Sequence, residues 1–282
     1  GRVGGVGRAR AAIRPARVHL APDRPLRLLF LKLILSPTLI ASASLVGRRW
    51  GQGVGGVIVA LPLTSGPVAF FLVLEHGPAF ASGAALGSMA GALAQGVFCL
   101  AYAALAARGW PLAFAGGTAA FGLTGLVLQR LALRLGPLTI VVAVALVLAL
   151  LAMPHGEETR RPGPPPRWDI PARMIVATAL VLSLTAAAAT LGPRLSGLLA
   201  TFPVYAGILA VFAHAQAGPG PATRALRGLL AGLFSFAAFF VVIAALIERV
   251  GLVPAFVGAF LTTLALQGLA LMVIREPPAL SA

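Results

Sequence analysis

Residues 137–153 read PLTIVVAVALVLALLAM, seventeen positions without a charge. Whether this run crosses a membrane decides the fold, because it stands between two copies of one segment. Residues 32–108 match residues 173–249 with no gap, displaced by 141 positions. Pro62 falls on Pro203, Gly66 on Gly207, Gly77 on Gly218, Phe98 on Phe239 and Arg108 on Arg249. After one inserted residue, Ala113-Phe114-Ala115-Gly116 falls on Ala255-Phe256-Val257-Gly258. Such a repeat is to be read before any other feature, since it sets the architecture.

The composition places the chain in a bilayer. The hydrophobic fraction is 59%, charged residues are 10%, and the mean hydropathy is +0.96. A soluble domain of this size carries roughly 25% charged residues. Spans need about 20 mostly apolar residues. The sequence predicts them at 27–46, 54–75, 80–106 and 111–129, and again at 174–191, 197–215, 224–247 and 252–273. The expected fold is all-α: a polytopic transmembrane helix bundle of two four-helix repeats plus a linking hydrophobic helix. Its parts are a basic arm (1–26), repeat 1 (27–130), a linking segment (131–172), repeat 2 (173–275) and a tail (276–282). The linking segment combines the run 137–153 with a proline-rich loop. Because successive prolines remove donors and clash with the preceding turn, the stretch 155–173 is predicted to be neither helix nor span.

If 137–153 spans, nine helices result and the repeats are inverted about an axis in the membrane plane. If it does not, eight helices result and the repeats are parallel. The Lys/Arg distribution favours eight. Hydropathy favours nine, and it decides whether a segment inserts, whereas charge bias mainly sets orientation. Nine is therefore the preferred reading, with eight as the alternative.

The net charge of +15 is uneven. Seven arginines (Arg2, Arg8, Arg10, Arg14, Arg17, Arg24, Arg27) precede the first span against one acid, Asp23. A disordered cytoplasmic arm obeying the positive-inside rule is preferred over a nucleic-acid-binding arm. The chain begins with Gly, so its true start is left open. The single cysteine, Cys99, excludes an intramolecular disulfide and a cysteine metal site.

Several features bear on function. Each second span carries a central proline with glycine four residues on: Pro62 with Gly66 and Pro203 with Gly207. An interior proline frees a carbonyl, and in a membrane that group needs a partner. A broken helix lining a midplane cavity is the functional reading, with Ser65, Gln95 and Tyr205 as its polar lining. A simple packing kink is the competing one. Each third span carries Gly-x-x-x-Gly, Gly87 with Gly91 and Gly228 with Gly232, expected to be a helix-packing face that joins the repeats. Ionisable residues near span ends are Glu75, His76 and His214, candidates for an ion or proton site. Lys32 and Arg173 occupy matched positions and are expected to snorkel to the headgroups. Trp50, Trp110 and Trp168 fall near predicted interfaces, as aromatic anchors do. Gly51-Gln52-Gly53-Val54-Gly55-Gly56 lacks the strand a phosphate loop needs. No catalytic motif, cofactor site or metal site is implied. The bilayer is the expected partner, self-association of the chain is left open, and nucleic acid is not expected.

Ser196-Gly197-Leu198-Leu199-Ala200-Thr201-Phe202-Pro203, Gly218 and Pro254-Ala255-Phe256-Val257-Gly258 give the second repeat a resemblance over roughly 174–273. It resembles the GlpM family of small bacterial inner-membrane proteins with four predicted helices. The first repeat shares it more weakly, through Gly56, Pro62, Gly77 and Ala113-Phe114-Ala115-Gly116. The resemblance implies a bacterial inner-membrane location and a link to envelope polysaccharide production; it implies no catalytic residue. This chain departs from the family in being a tandem pair with an extra hydrophobic run. Two functional expectations result: a transporter-like protein moving a small solute or ion at the repeat interface, or a non-transporting accessory protein of envelope biogenesis.

Overall fold

The computed structural model describes residues 24–62, 65–156 and 166–274, and every regular element among them is helical. In chain order these are α1 (Arg24–Trp50), α2 (Gln52–Val59), α3 (Ser65–His76), α4 (Pro78–Leu105) and α5 (Trp110–Leu131). They continue with α6 (Leu135–Ala152), α7 (Asp169–Ala200), α8 (Val204–Ala217), α9 (Pro219–Val250) and α10 (Leu252–Ile274). A short 3₁₀ turn, Ala106–Arg108, precedes α5.

Glycine and proline set the corners. Gly77 and Gly218 both adopt positive φ, 84° and 86°, and each is followed by a proline at the first helical position. A residue with a Cβ is strained at such φ, and proline's fixed φ suits a helix start. The chain therefore reverses sharply between α3 and α4 and between α8 and α9. The displacement of 141 carries one corner onto the other.

Five of the described helices are long and apolar enough to cross a membrane: α4, α5, α6, α9 and α10. The disputed run is one of them. Residues 135–152 form a continuous helix with a mean hydropathy of 2.7, and it needs no partner to satisfy its backbone within its own ladder. The layers differ in burial. The apolar windows of α4 and α9 are 56% and 61% buried, against 22–28% for α5, α6 and α10. The first pair is thus the centre of the bundle, and the others are its wall. Val144, Leu148 and Leu151 of α6 lie on the outside, Leu151 being 77% exposed. An apolar face of that kind is compatible with a membrane-embedded protein and costly in water.

Equivalent helices pack antiparallel. On α4 and α9, the Ser82 hydroxyl donates to the Ala244 carbonyl at 3.3 Å, while Gly96 faces Leu230. Residue numbers rise on one helix as they fall on the other. The same holds for α1 and α7: Arg48 meets Asp169, and Ile40 shares a core cluster with Ala177.

These contacts also define the two ends of the bundle. Asp169 accepts hydrogen bonds from Arg48 at the end of α1 and from Gln216 at the end of α8. Tyr102 joins the last turns of α4 to His214 of α8. Arg227 of α9 donates to the Met153 carbonyl at 2.8 Å, and Arg224 donates to the Gly156 carbonyl at 2.7 Å. One end therefore holds the C-termini of α1, α4, α6 and α8 and the N-termini of α5, α7 and α9. Arg227 thus caps the carbonyl end of α6, where positive charge is favoured, and Arg224 holds the chain just beyond it.

The proline-rich segment ends earlier than the sequence suggests. Helix α7 begins at Asp169, inside the stretch 155–173 expected to be loop, with Pro171 in its first turn. Proline is tolerated there because the first amides have no intrahelical partner anyway. Residues 1–23, 63–64, 157–165 and 275–282 lie outside the described residues. They include most of the basic arm and the tail.

Candidate functional site

Both prolines break their helices outright. Helix α2 ends at Val59 and α3 starts at Ser65, with Pro62 between them; α7 runs unbroken through the boundary expected between 191 and 197, ends at Ala200, and α8 starts at Val204, just after Pro203. Pro62 has no N–H, so Ile58 loses its usual partner, and its carbonyl instead accepts from Leu61 at 3.1 Å. The carbonyl of Val57 accepts from Ala60 at 3.2 Å and, from the other half of the chain, from the Gln267 side-chain amide on α10. The Ser235 hydroxyl on α9 donates in turn to Gln267 Oε1. At the second break, Gln95 Nε2 on α4 donates to the Thr201 carbonyl at 3.1 Å. Each interrupted helix is thus capped by a glutamine from the opposite half. In a low-dielectric interior this is the partner that a freed carbonyl requires.

Small residues let the backbones come close at these breaks. A Cβ at Gly228 or Gly56 would run into the backbone of the other helix, Gly53 in one case and Ala225 in the other. At Gly232 a Cβ would collide with Ala60, and at Gly91 it would fall 2.6 Å from Thr201. These last two contacts are images of each other under the displacement of 141. Gly87 is different: it is exposed, and nothing lies within 4 Å of where its Cβ would be.

A second mirrored contact lies nearby. Phe98 and Phe114 meet edge to face with centroids 6.1 Å apart at 82°, and Phe239 and Phe256 meet at 6.0 Å and 79°. Gly66 lies against the ring of Phe239, and Gly207 against that of Phe114. The seven cavity candidates therefore fall into two groups. Pro62, Ser65 and Gly66 gather at the first break; Gln95, Pro203, Tyr205 and Gly207 gather at the second. Pro62 and Pro203 are buried, Ser65 is half-buried, and the Tyr205 hydroxyl donates to Ser36 Oγ of α1 at 2.9 Å.

The ion candidates are scattered. His214 is buried and hydrogen-bonded to the Tyr102 hydroxyl at 3.2 Å. His76 is exposed and packs on the Phe80 ring, with centroids 4.6 Å apart. The Glu75 side chain lies outside the described residues. Among the described residues, no group of three or more His, Cys, Asp or Glu could hold a metal ion.

The strongest charge cluster is one that sequence reasoning missed. Asp169 is 1% exposed, pairs with Arg48 at 2.6 Å and Arg173 at 2.9 Å, and accepts from Gln216. Arg173 also lies over the Phe212 ring, 5.0 Å from its centroid. Burial works to raise the Asp169 carboxyl; hydrogen bonds from Arg173, Arg48 and Gln216, with the Arg173 charge, outweigh it and hold the group below the usual carboxylate range. The expected snorkelling of Arg173 is therefore corrected. Its guanidinium folds back one turn onto an acid, and only 5% of its side chain is exposed. The available signal was an acid four residues before an arginine at a helix start, a favourable spacing and a favourable place for negative charge. It was obscured by the prolines around it. The Lys32 side chain lies outside the described residues.

The structure thus defines a class: an all-helical chain with five helices able to cross a membrane and two interrupted helices against its central pair. No protein-family model, curated protein or solved structure matches the chain.

Proposed function

We propose that this chain is a multi-pass bacterial inner-membrane protein of nine crossings, its two four-helix repeats inverted about an in-plane axis and joined by α6. Its amino terminus is cytoplasmic. In this reading the protein moves a small solute or ion at the repeat interface and carries no catalytic chemistry. Several observations support the architecture: antiparallel packing of α4 on α9 and of α1 on α7, and the mirrored pairs Gly232–Ala60 with Gly91–Thr201 and Phe98–Phe114 with Phe239–Phe256. The resemblance of the second repeat to the GlpM family accords with a duplicated four-helix unit.

One observation carries the transport reading. Each repeat contributes a helix interrupted beside the central pair, and its carbonyl end is closed by one amide side chain from the other repeat. Transporters bind substrates and coupling ions at such discontinuous helices near the midplane. An amide cap is exchangeable: a coupling cation or a substrate donor can take its place on the same carbonyl.

A second reading, an accessory protein of envelope biogenesis that transports nothing, is favoured by how fully these groups are already satisfied. Gln95, Gln267 and Tyr205 all have protein partners. Cysteine accessibility separates the two. In a Cys99→Ser background, Thr201→Cys and Ala60→Cys are exposed to a membrane-impermeant thiol reagent from each side of sealed vesicles. Transport predicts that both react, with Val144→Cys on the outer wall as the unreactive control. Failure of both to react from either side would remove the transport reading and leave the accessory one.

A further inference from the structure

We infer that the bundle end holding the C-termini of α1, α4, α6 and α8 is a binding face for anionic phospholipid headgroups, built from three arginine–tryptophan pairs. This inference rests on the membrane reading above. The chain has three tryptophans, and all of them lie at this end. Trp50 ends α1, Trp110 opens α5, and Trp168 immediately precedes α7. They are 62%, 41% and 60% exposed. Each follows an exposed arginine by one or two residues: Arg49, Arg108 and Arg167. Arg49 lies over the ring of Trp50, 5.6 Å from its centroid.

The charge balance there is one-sided. Asp169 is the described carboxylate at this end, and it is already held by Arg48 and Arg173. Among the described residues, none of Arg49, Arg108 and Arg167 has a carboxylate in ion-pair reach. The opposite end also carries arginines, Arg130, Arg134 and Arg249 with Glu248 beside the last, but no tryptophan is present there. Tryptophan settles at headgroup depth, where its ring is half in hydrocarbon. The guanidinium beside it then meets the lipid phosphate, which its planar fork binds in two-point fashion. A headgroup with net negative charge gains from three such cations, whereas a zwitterionic one brings its own ammonium to the same surface.

The tryptophans are their own probes. The full-length chain is reconstituted into vesicles containing brominated phosphatidylglycerol or brominated phosphatidylcholine, and quenching of intrinsic fluorescence is titrated. The wild type should be quenched at a several-fold lower mole fraction of the anionic lipid. That preference should vanish in R49Q/R108Q/R167Q and persist in R130Q/R134Q/R249Q, which alters the other end. The single variants R108Q and R167Q, each removing one exposed side chain, should each leave a preference between that of the wild type and that of the first triple variant. Equal quenching by the two lipids, or a preference surviving in the first triple variant, overturns the inference. So does loss of the preference in millimolar inorganic phosphate, which would assign the site to a free anion. Absence of quenching by either lipid overturns the membrane reading instead.

Discussion

Gly87 and Gly228 hold the same place in the two halves of the chain, yet their surroundings differ completely. Gly228 lies against the Gly53 backbone so closely that a methyl group has no room, whereas Gly87 faces open space. One turn further on the halves agree again, since Gly91 and Gly232 meet Thr201 and Ala60, themselves equivalent residues. Both halves carry the same spacing of glycines. The structure uses it twice where the halves contact each other reciprocally and once where only α9 meets α2. A Gly-x-x-x-Gly pair is therefore evidence for a possible close approach, and only a partner surface makes it one.

The largest expected effect tests a feature that repeat 2 has and repeat 1 lacks. Leu28 stands where Asp169 stands in the second half. Replacing Asp169 with Ala strands Arg173 in a buried site and should cost about 3 kcal/mol, read as a lowered unfolding midpoint in detergent. The pH dependence follows the same group. Its carboxyl is depressed in the folded state, so the stabilisation is full above its unfolded value of about 4 and is lost as pH falls through the lower folded value. The wild type should lose stability in that acid window, and Asp169→Ala should not. A variant as stable as the wild type would show that the hub does not hold α1, α7 and α8 together.

Next come the glycines themselves. Gly228→Ala should destabilise by roughly 1–3 kcal/mol, because two backbones must separate. Gly87→Ala should raise stability by about 0.5–1 kcal/mol, since alanine loses less freedom in a helix and meets nothing there. Equal effects at the two sites would erase the distinction drawn between them. A smaller effect is expected at the caps. Gln267→Leu and Gln95→Leu should each cost about 1 kcal/mol by thermal unfolding, near the value of an interhelical hydrogen bond in a membrane. Their costs should add, because they serve different breaks.

Much of this architecture was legible in the sequence. The two prolines and the uncharged run 137–153 are local patterns, and each has a direct backbone consequence. A proline removes a donor wherever it sits, and a long apolar helix closes its own hydrogen bonds. What stayed hidden depends on which surfaces meet. Gln95 and Gln267 perform one task from non-equivalent positions, with Phe236 and Gly125 at the matching sites, so the repeat gave no hint of it. Asp169 looked like one loop acid among several until α7 proved to begin there. The open face at Gly87 could not be told from the closed one at Gly228, because their local sequences carry the same spacing.

The proposal that the halves are inverted is most directly tested by topology. A reporter that is active only outside the cytoplasm is inserted between Gly156 and Trp168, and a second fusion reports the side of the amino terminus. The account predicts opposite sides, an extracytoplasmic loop with a cytoplasmic amino terminus, because α6 crosses. Both fusions reporting the same side would mean that α6 does not cross and that the repeats are parallel.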